Sequence, residues 1–216
     1  MKTLIIGILV LLIIGIVVSC KQKSDKEIFE SVLNDKRINT KEVGLREGIE
    51  FFQIMENGKT GFRDLDGNTV IEPIYESAEM FSENYSAVEI DEKWGLIDKK
   101  GNLVIEPKYN YLGSMHEGLM SFRENEKYGF IDINENVIIE PKFDWVDEFS
   151  EGYCVIRNDN GELGSGKNQF IDKSGEIVFD LEFDYARKFE NGKAKVELNK
   201  EWVFIDKEGK IIKESE

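Results

Sequence analysis

The sequence predicts an all-β fold made of about five tandem three-stranded antiparallel meanders, each some 34 residues long. Three observations carry that prediction. The first is repetition: "WGLIDKKGNLVIEPKYNYLGSMHEG" from Trp94 returns 34 residues later as "YGFIDINENVIIEPKFDWVDEFSEG" from Tyr128. The same frame occurs upstream as "TGFRDLDGNTVIEPIYESAEMFSEN" from Thr60. Downstream it recurs from Asn168, after a spacing of 40, and again as "WVFIDKEGKII" from Trp202. The second is periodicity: the apolar runs are short, rich in β-branched and aromatic residues, and separated by acid-and-glycine turns. The third is size, because a unit this small cannot bury an apolar face alone and its neighbours must stack on it.

Within a unit the first strand, such as Leu96-Ile97 or Phe130-Ile131, is apolar on both faces, as a central strand requires. It ends in an acidic turn: Asp98 to Gly101, Asp172 to Gly175 and Asp206 to Gly209 set an Asx side chain first and glycine where positive φ is wanted. The second strand is the run Val104-Ile105, Ile138-Ile139 or Val178-Phe179. Pro73, Pro107 and Pro141 close it, since proline cannot donate to a ladder. The third strand alternates, with Ser86/Val88, Met120/Phe122, Cys154/Ile156 and Ala194/Val196 on one face and Glu89, Arg123 and Arg157 on the other. Phe52 and Ile54 occupy the same positions upstream, so counting from this strand gives five whole units. A compact propeller-like ring and an open β-array are both compatible with five; no polar capping unit is evident at the C-terminus, which favours the ring.

Two recurring aromatic columns differ in kind. Tyr75, Tyr109, Phe143 and Phe183 recur as core residues do, and so do Phe81, Met115, Phe149 and Phe189. Two positions past the first column stand Ser77, Tyr111, Trp145 and Tyr185. Tyr111, Trp145 and Tyr185 could pack between units, or could form a row for sugar rings or a partner's apolar patch. They are the candidate ligand-binding residues.

"GELGSGKN", Gly161 to Asn168, fits the GxxxxGK pattern of phosphate-cradling loops. That chemistry needs a helix N-terminus after the loop and a hydroxyl after the lysine. Here a strand follows and Asn168 succeeds Lys167, so the glycines read as a hairpin tip enlarged by six residues, and no nucleotide is expected. No cofactor or metal is expected either: His116 is the one histidine and forms no cluster. The acids Asp64, Asp98, Asp132, Asp172 and Asp206 recur in every unit as turn formers, whereas catalysis needs two carboxylates in unlike surroundings. No catalytic residue is expected.

The frame resembles the bacterial WG repeat: WGFID, a glycine turn, an apolar strand, proline, an aromatic-Asp pair, then Phe, an acid and Gly before an alternating strand. The resemblance runs from about Glu47 to Lys213, and Trp94-Gly95 keeps the literal pair. It implies an all-β repeat, usual in exported or surface proteins, with no established common enzymatic activity.

The N-terminus supplies a location. Lys2 precedes an unbroken apolar and glycine run from Leu4 to Val18, shorter than the ~20 residues of a spanning helix, and residues 1–19 read as a secretory signal. Val17-Val18-Ser19-Cys20 resembles a bacterial lipobox, which implies that Cys20 is lipidated and anchors the protein to the membrane. Residues 20–46 then form a tether, with a possible short helix opened by Ser24 and Glu27, and 47–216 the repeat domain. With Cys20 lipidated, Cys154 has no disulfide partner. The net charge of -15 opposes nucleic acid as a partner. The expectation is an extracytoplasmic, lipid-anchored module that binds or scaffolds an envelope protein; the alternatives are a cell-wall glycan-binding or glycan-modifying protein and a structural spacer.

Overall fold

The structure is a computed structural model and describes residues 51–159 and 166–212. The signal, Cys20, the tether and most of the glycine loop lie outside the described residues. By its contacts the chain divides into two units, Met1–Phe52 with Arg63–Thr69, and Gln53–Phe62 with Val70–Glu216. In the first, the described part is chiefly the turn in which the Asp64 carboxylate accepts the Asp66 and Asn68 amides at 3.0 and 2.8 Å. The second holds most of the repeat.

All seventeen named elements of the described residues are strands. They are β1 (Phe51–Glu56), β2 (Lys59–Asp64), β3 (Thr69–Tyr75), β4 (Ser77–Ala78), β5 (Tyr85–Ile90), β6 (Lys93–Asp98), β7 (Leu103–Tyr109), β8 (Met120–Glu124) and β9 (Lys127–Ile131). They continue as β10 (Val137–Phe143), β11 (Trp145–Val146), β12 (Tyr153–Arg157), β13 (Asn168–Asp172), β14 (Tyr185–Ala186), β15 (Lys193–Leu198), β16 (Glu201–Asp206) and β17 (Ile211–Ile212). They form the antiparallel sheets β1-β2-β3, β4-β5-β6-β7, β10-β9-β8, β11-β12-β13 and β14-β15-β16-β17. The predicted meanders are present. The segment read as a plain connection adds a short edge strand to three of them: Phe143 closes one sheet, and Trp145 already pairs with Arg157 of the next.

The sheets stack through their faces. One core joins Ala87, Leu96 and Ile105 to Met115, Met120 and Phe122 of the following meander. A second joins Phe130, Ile139 and Phe149 to Cys154, Ile156 and Ile171, and a third joins Val155 and Phe170 to Phe189, Ala194 and Val196. A sheet covered on both faces can bury successive residues of a strand. The predicted polar face of the third strand is therefore corrected in part, because Ala87 and Val155, between the expected core residues, are also fully buried.

The glycine after the repeat's tryptophan position has a steric cause. A Cβ on Gly95 would lie 2.6 Å from the Ile105 carbonyl oxygen and 2.9 Å from the Pro107 nitrogen, and Gly61 and Gly129 are in the same position. That approach goes with the register shifts where β6 meets β7 and β9 meets β10. Gln169 stands in that place in the fourth unit and Leu181 replaces the proline. There the second strand is reduced to the isolated bridges Ile171↔Ile177 and Asn168↔Phe183.

Successive units are also clasped by glutamates invisible to hydropathy. The Gly118 amide donates to Glu83 at 3.0 Å, Gly152 to Glu117 at 3.0 Å and Gly192 to Glu151 at 3.0 Å. Lys173 and Lys207 add ion pairs to Glu117 and Glu151, at 3.1 and 3.0 Å. Each clasping glutamate holds positive φ in its turn, an unfavourable conformation that its carboxylate's bonds to the next unit offset. Asn191, which tolerates that conformation better, occupies the position in the last unit, where the series ends.

Candidate functional site

The acids that recur in each unit serve its turns. Asp98 accepts the Lys100 and Asn102 amides at 2.8 and 2.9 Å and the Asn102 side chain at 2.9 Å; those bonds to Asn102 hold its carboxyl below the ordinary range. Asp132 repeats the set. Lys167, the lysine of the phosphate-loop pattern, donates to Asp184. Lys59, Lys93 and Lys127 do the same at the equivalent place, to Glu76, Asn110 and Asp144. Lys167 is thus a repeat residue that ties a hairpin to the next edge.

Cys154 is fully buried and its thiol donates to the Asp147 carbonyl at 3.1 Å, as Ser86 donates to Glu79 at 2.7 Å. Burial pushes the thiol's pKa well up, so it is an inert core donor. Among the described residues no group of three or more histidine, cysteine or acidic side chains is placed to hold a metal ion.

The three candidate aromatics part company. Tyr111 is half-buried and set edge-on to Tyr128, with ring centres 5.5 Å apart; Trp94 of the preceding sheet lies 6.4 Å away. Burial raises the pKa of its hydroxyl, and it joins two units. Trp145 and Tyr185 stand on the edge strands β11 and β14, 36% and 54% exposed. Both line a groove of about 620 Å³ with Asp147, Glu148, Arg187, Lys188, Lys193, Lys195 and Phe204. Arg157 lies over the Trp145 ring at 5.6 Å.

The chemistry beside those rings was not visible in the aromatic columns. Lys195 lies 5.3 Å from the Trp202 ring centre and 5.9 Å from that of Phe204, and Arg187 lies 5.9 Å from Trp202. Tyr185 and Trp202 are 5.8 Å apart, and Trp202 is 45% exposed. One signal could have revealed the set. Lys195 occupies the position of Ala87, Ser121 and Val155, and Arg187 that of Glu79, Gly113 and Asp147. Those places face the next unit elsewhere. In the last described sheet they carry cations, and its outer face is polar.

A three-residue bridge forms part of the groove wall. His116 Nε2 is 2.8 Å from Glu148 Oε2, and Lys188 pairs with Glu148 Oε1. The His116 bond, then that of Lys188, draws the Glu148 carboxyl down to about 2. Its neighbour Asp147 is pushed the other way by burial. The two carboxylates are unlike, yet each Glu148 oxygen is already engaged, one by His116 and the other by Lys188. The arrangement links three successive edges and leaves Glu148 poorly placed to activate a water.

Structural likeness is confined to fold. Two structures of Kluyveromyces lactis Hsv2 (one titled Hsv2p) superpose with TM-scores of 0.51 at 14% and 13% identity, over 76% of this chain and 59% and 60% of theirs. This chain therefore spans about three-fifths of their length. A putative TolB from Agrobacterium tumefaciens gives a TM-score of 0.45 at 11% identity, over 76% of each chain. The feature shared with the two Hsv2 structures is a propeller-like succession of antiparallel sheets. No curated protein sequence matches. The profile of the WG containing repeat matches residues 61–94, 94–128, 128–161 and 170–202, more than half of the chain, and the protein belongs to that repeat family.

Proposed function

We propose that this protein is an exported, lipid-anchored member of the family that acts as a protein-binding or scaffolding module of the cell envelope. Support for the anchor comes from the Leu4 to Val18 run and the Val17-Val18-Ser19-Cys20 stretch. Support for binding comes from one contrast. The inward positions of the repeat keep their character from unit to unit, while the edge strands change freely, from Ser77 and the half-buried Tyr111 to the exposed Trp145 and Tyr185. A scaffold with a constant interior and a variable rim is suited to recognition. The chain is read as non-catalytic, with no nucleotide or nucleic-acid partner.

A glycan ligand is the second reading, favoured by the exposed rings of Trp145 and Tyr185 in one groove. Retention of a specific partner from solubilised envelope by the full chain, and its release by Trp145→Ala/Tyr185→Ala, is the expected result. Absence of any specific partner would leave the spacer reading. Cys20→Ser should shift the protein from the membrane to the soluble fraction; unchanged membrane association would sink the anchor.

A further inference from the structure

We infer that the groove along β14 and the outer face of the last sheet form a binding site for an anionic glycan, a chain of sugar rings bearing carboxylates. This rests on the glycan reading given second above, rather than on the protein-binding one, and narrows it to a ligand class. Three features converge. The first is charge: in a chain of net charge -15, the groove gathers Arg187, Lys188, Lys193 and Lys195 against Asp147, Glu148 and Glu190. Lys188 is committed to Glu148, but among the described residues Arg187 and Lys195 have no carboxylate partner. Glu197 stands across from both Tyr185 and Trp202, so the selection for anions comes from the cations that outnumber the acids lining the groove itself.

The second feature is the rings. Trp145, Tyr185 and Trp202 expose a third to a half of their surface around those cations. Sugar rings lay their C–H faces on such aromatic surfaces while their carboxylates reach a guanidinium or ammonium beside the ring. Arg187 and Lys195 already lie over Trp202, within reach of whatever stacks next to it. The volume of about 620 Å³ is in the range of small-molecule sites and so admits a few sugar units.

The third feature disfavours an acidic peptide. Peptides commonly add a strand to a free sheet edge, but β14 pairs over two residues, Tyr185 and Ala186, and offers too little edge. At positions equivalent to Lys195 the inner units carry Ala87 and Val155, fully buried, and Ser121, half-buried, so a charge at this place is peculiar to the last sheet.

The test titrates the full chain in detergent with polygalacturonate, with its carboxyl-reduced uncharged form, and with poly-glutamate. Polygalacturonate should bind and the reduced form should not. Arg187→Ala/Lys195→Ala and, separately, Tyr185→Ala/Trp202→Ala should each weaken binding by roughly tenfold or more with an unchanged thermal midpoint. If the second pair lowers the midpoint, Tyr185→Leu/Trp202→Leu keeps the bulk and removes the stacking face. Binding that ignores either pair, equal binding of the uncharged form, or tighter binding of poly-glutamate overturns the glycan site. So does failure of all three polymers. An envelope partner still retained by the charge variant would then show that the module binds elsewhere.

Discussion

Strands β12 and β15 occupy the same place in their units and are buried differently. In β12, Cys154, Val155 and Ile156 are all fully buried; in β15, Ala194 and Val196 are buried and Lys195 between them is exposed. The difference lies in how many faces are covered. Between the core positions two inner sheets carry the fully buried Ala87 and Val155 and a third the half-buried Ser121, whereas the last sheet carries an exposed lysine and returns to a period of two. Exchanging the residues should therefore have unequal effects. Val155→Lys places an ammonium between packed sheets and should cost ~4 kcal/mol or more. Lys195→Val should change stability by less than about 0.5 kcal/mol. Urea midpoints of the two variants check this, and equal losses would show that the outer face is packed like the inner one.

The same comparison can be made at the glycine position. Gly129→Gln drives a side chain into the Pro141 nitrogen, 2.7 Å from an ideal Cβ, and should destabilise by about 2–3 kcal/mol. Gln169→Gly lies where the second strand has already withdrawn to two bridges, and should cost about 1 kcal/mol or less through backbone entropy. A large loss at 169, or none at 129, would remove close approach as the reason for the repeat's glycine.

A smaller effect distinguishes inner from terminal turns. Glu117→Gln weakens the bonds from the Gly152 amide and removes the ion pair to Lys173, and should cost about 1 kcal/mol. Asn191→Glu adds a carboxylate that no turn of the described residues is placed to receive, and should gain nothing. Denaturant unfolding in low and high salt tests both, because the Lys173 part of the loss should shrink with salt.

Much of this was legible in the residues. The 34-residue period, the Asp-to-Gly turns and the buried columns Phe143, Phe149, Phe183 and Phe189 all follow from local pattern, because each is stated several times along the chain. What is stated once was harder to read. The pairing of Trp145 with Arg157 needs the chain to leave one sheet and join the next within two residues, which no local propensity encodes. The cationic face was hidden for a related reason: Lys195 differs from Val155 by a single substitution, and its meaning depends on what packs against that face. Of the candidate aromatics, the spacing found all three, but only stacking distinguishes Tyr111, wedged between Trp94 and Tyr128, from the open rings of Trp145 and Tyr185.

The smallest expected effect concerns pH and the bridge His116, Glu148 and Lys188. The Glu148 carboxyl is drawn down to about 2 from 4.5, chiefly by His116 and then by Lys188. A depressed carboxyl contributes stability that is full above its unfolded value and lost as pH falls toward its folded one, here between about 4.5 and 2. The group is partly solvent-exposed, so screening reduces its contribution to the order of 1 kcal/mol. Asp147, raised by burial, has the opposite slope: its neutral form is favoured in the fold, and ionisation at higher pH costs stability. Glu148→Gln should therefore be less stable than the native chain at neutral pH, with the gap closing as pH approaches 2. Asp147→Asn should gain on the native chain as pH rises above the ordinary aspartate range. Equilibrium unfolding followed by tryptophan fluorescence across pH 2–7 separates the two. A Glu148→Gln gap that stayed constant down to pH 2 would mean that the side chain acts by packing, and that its charge does not join the three edges.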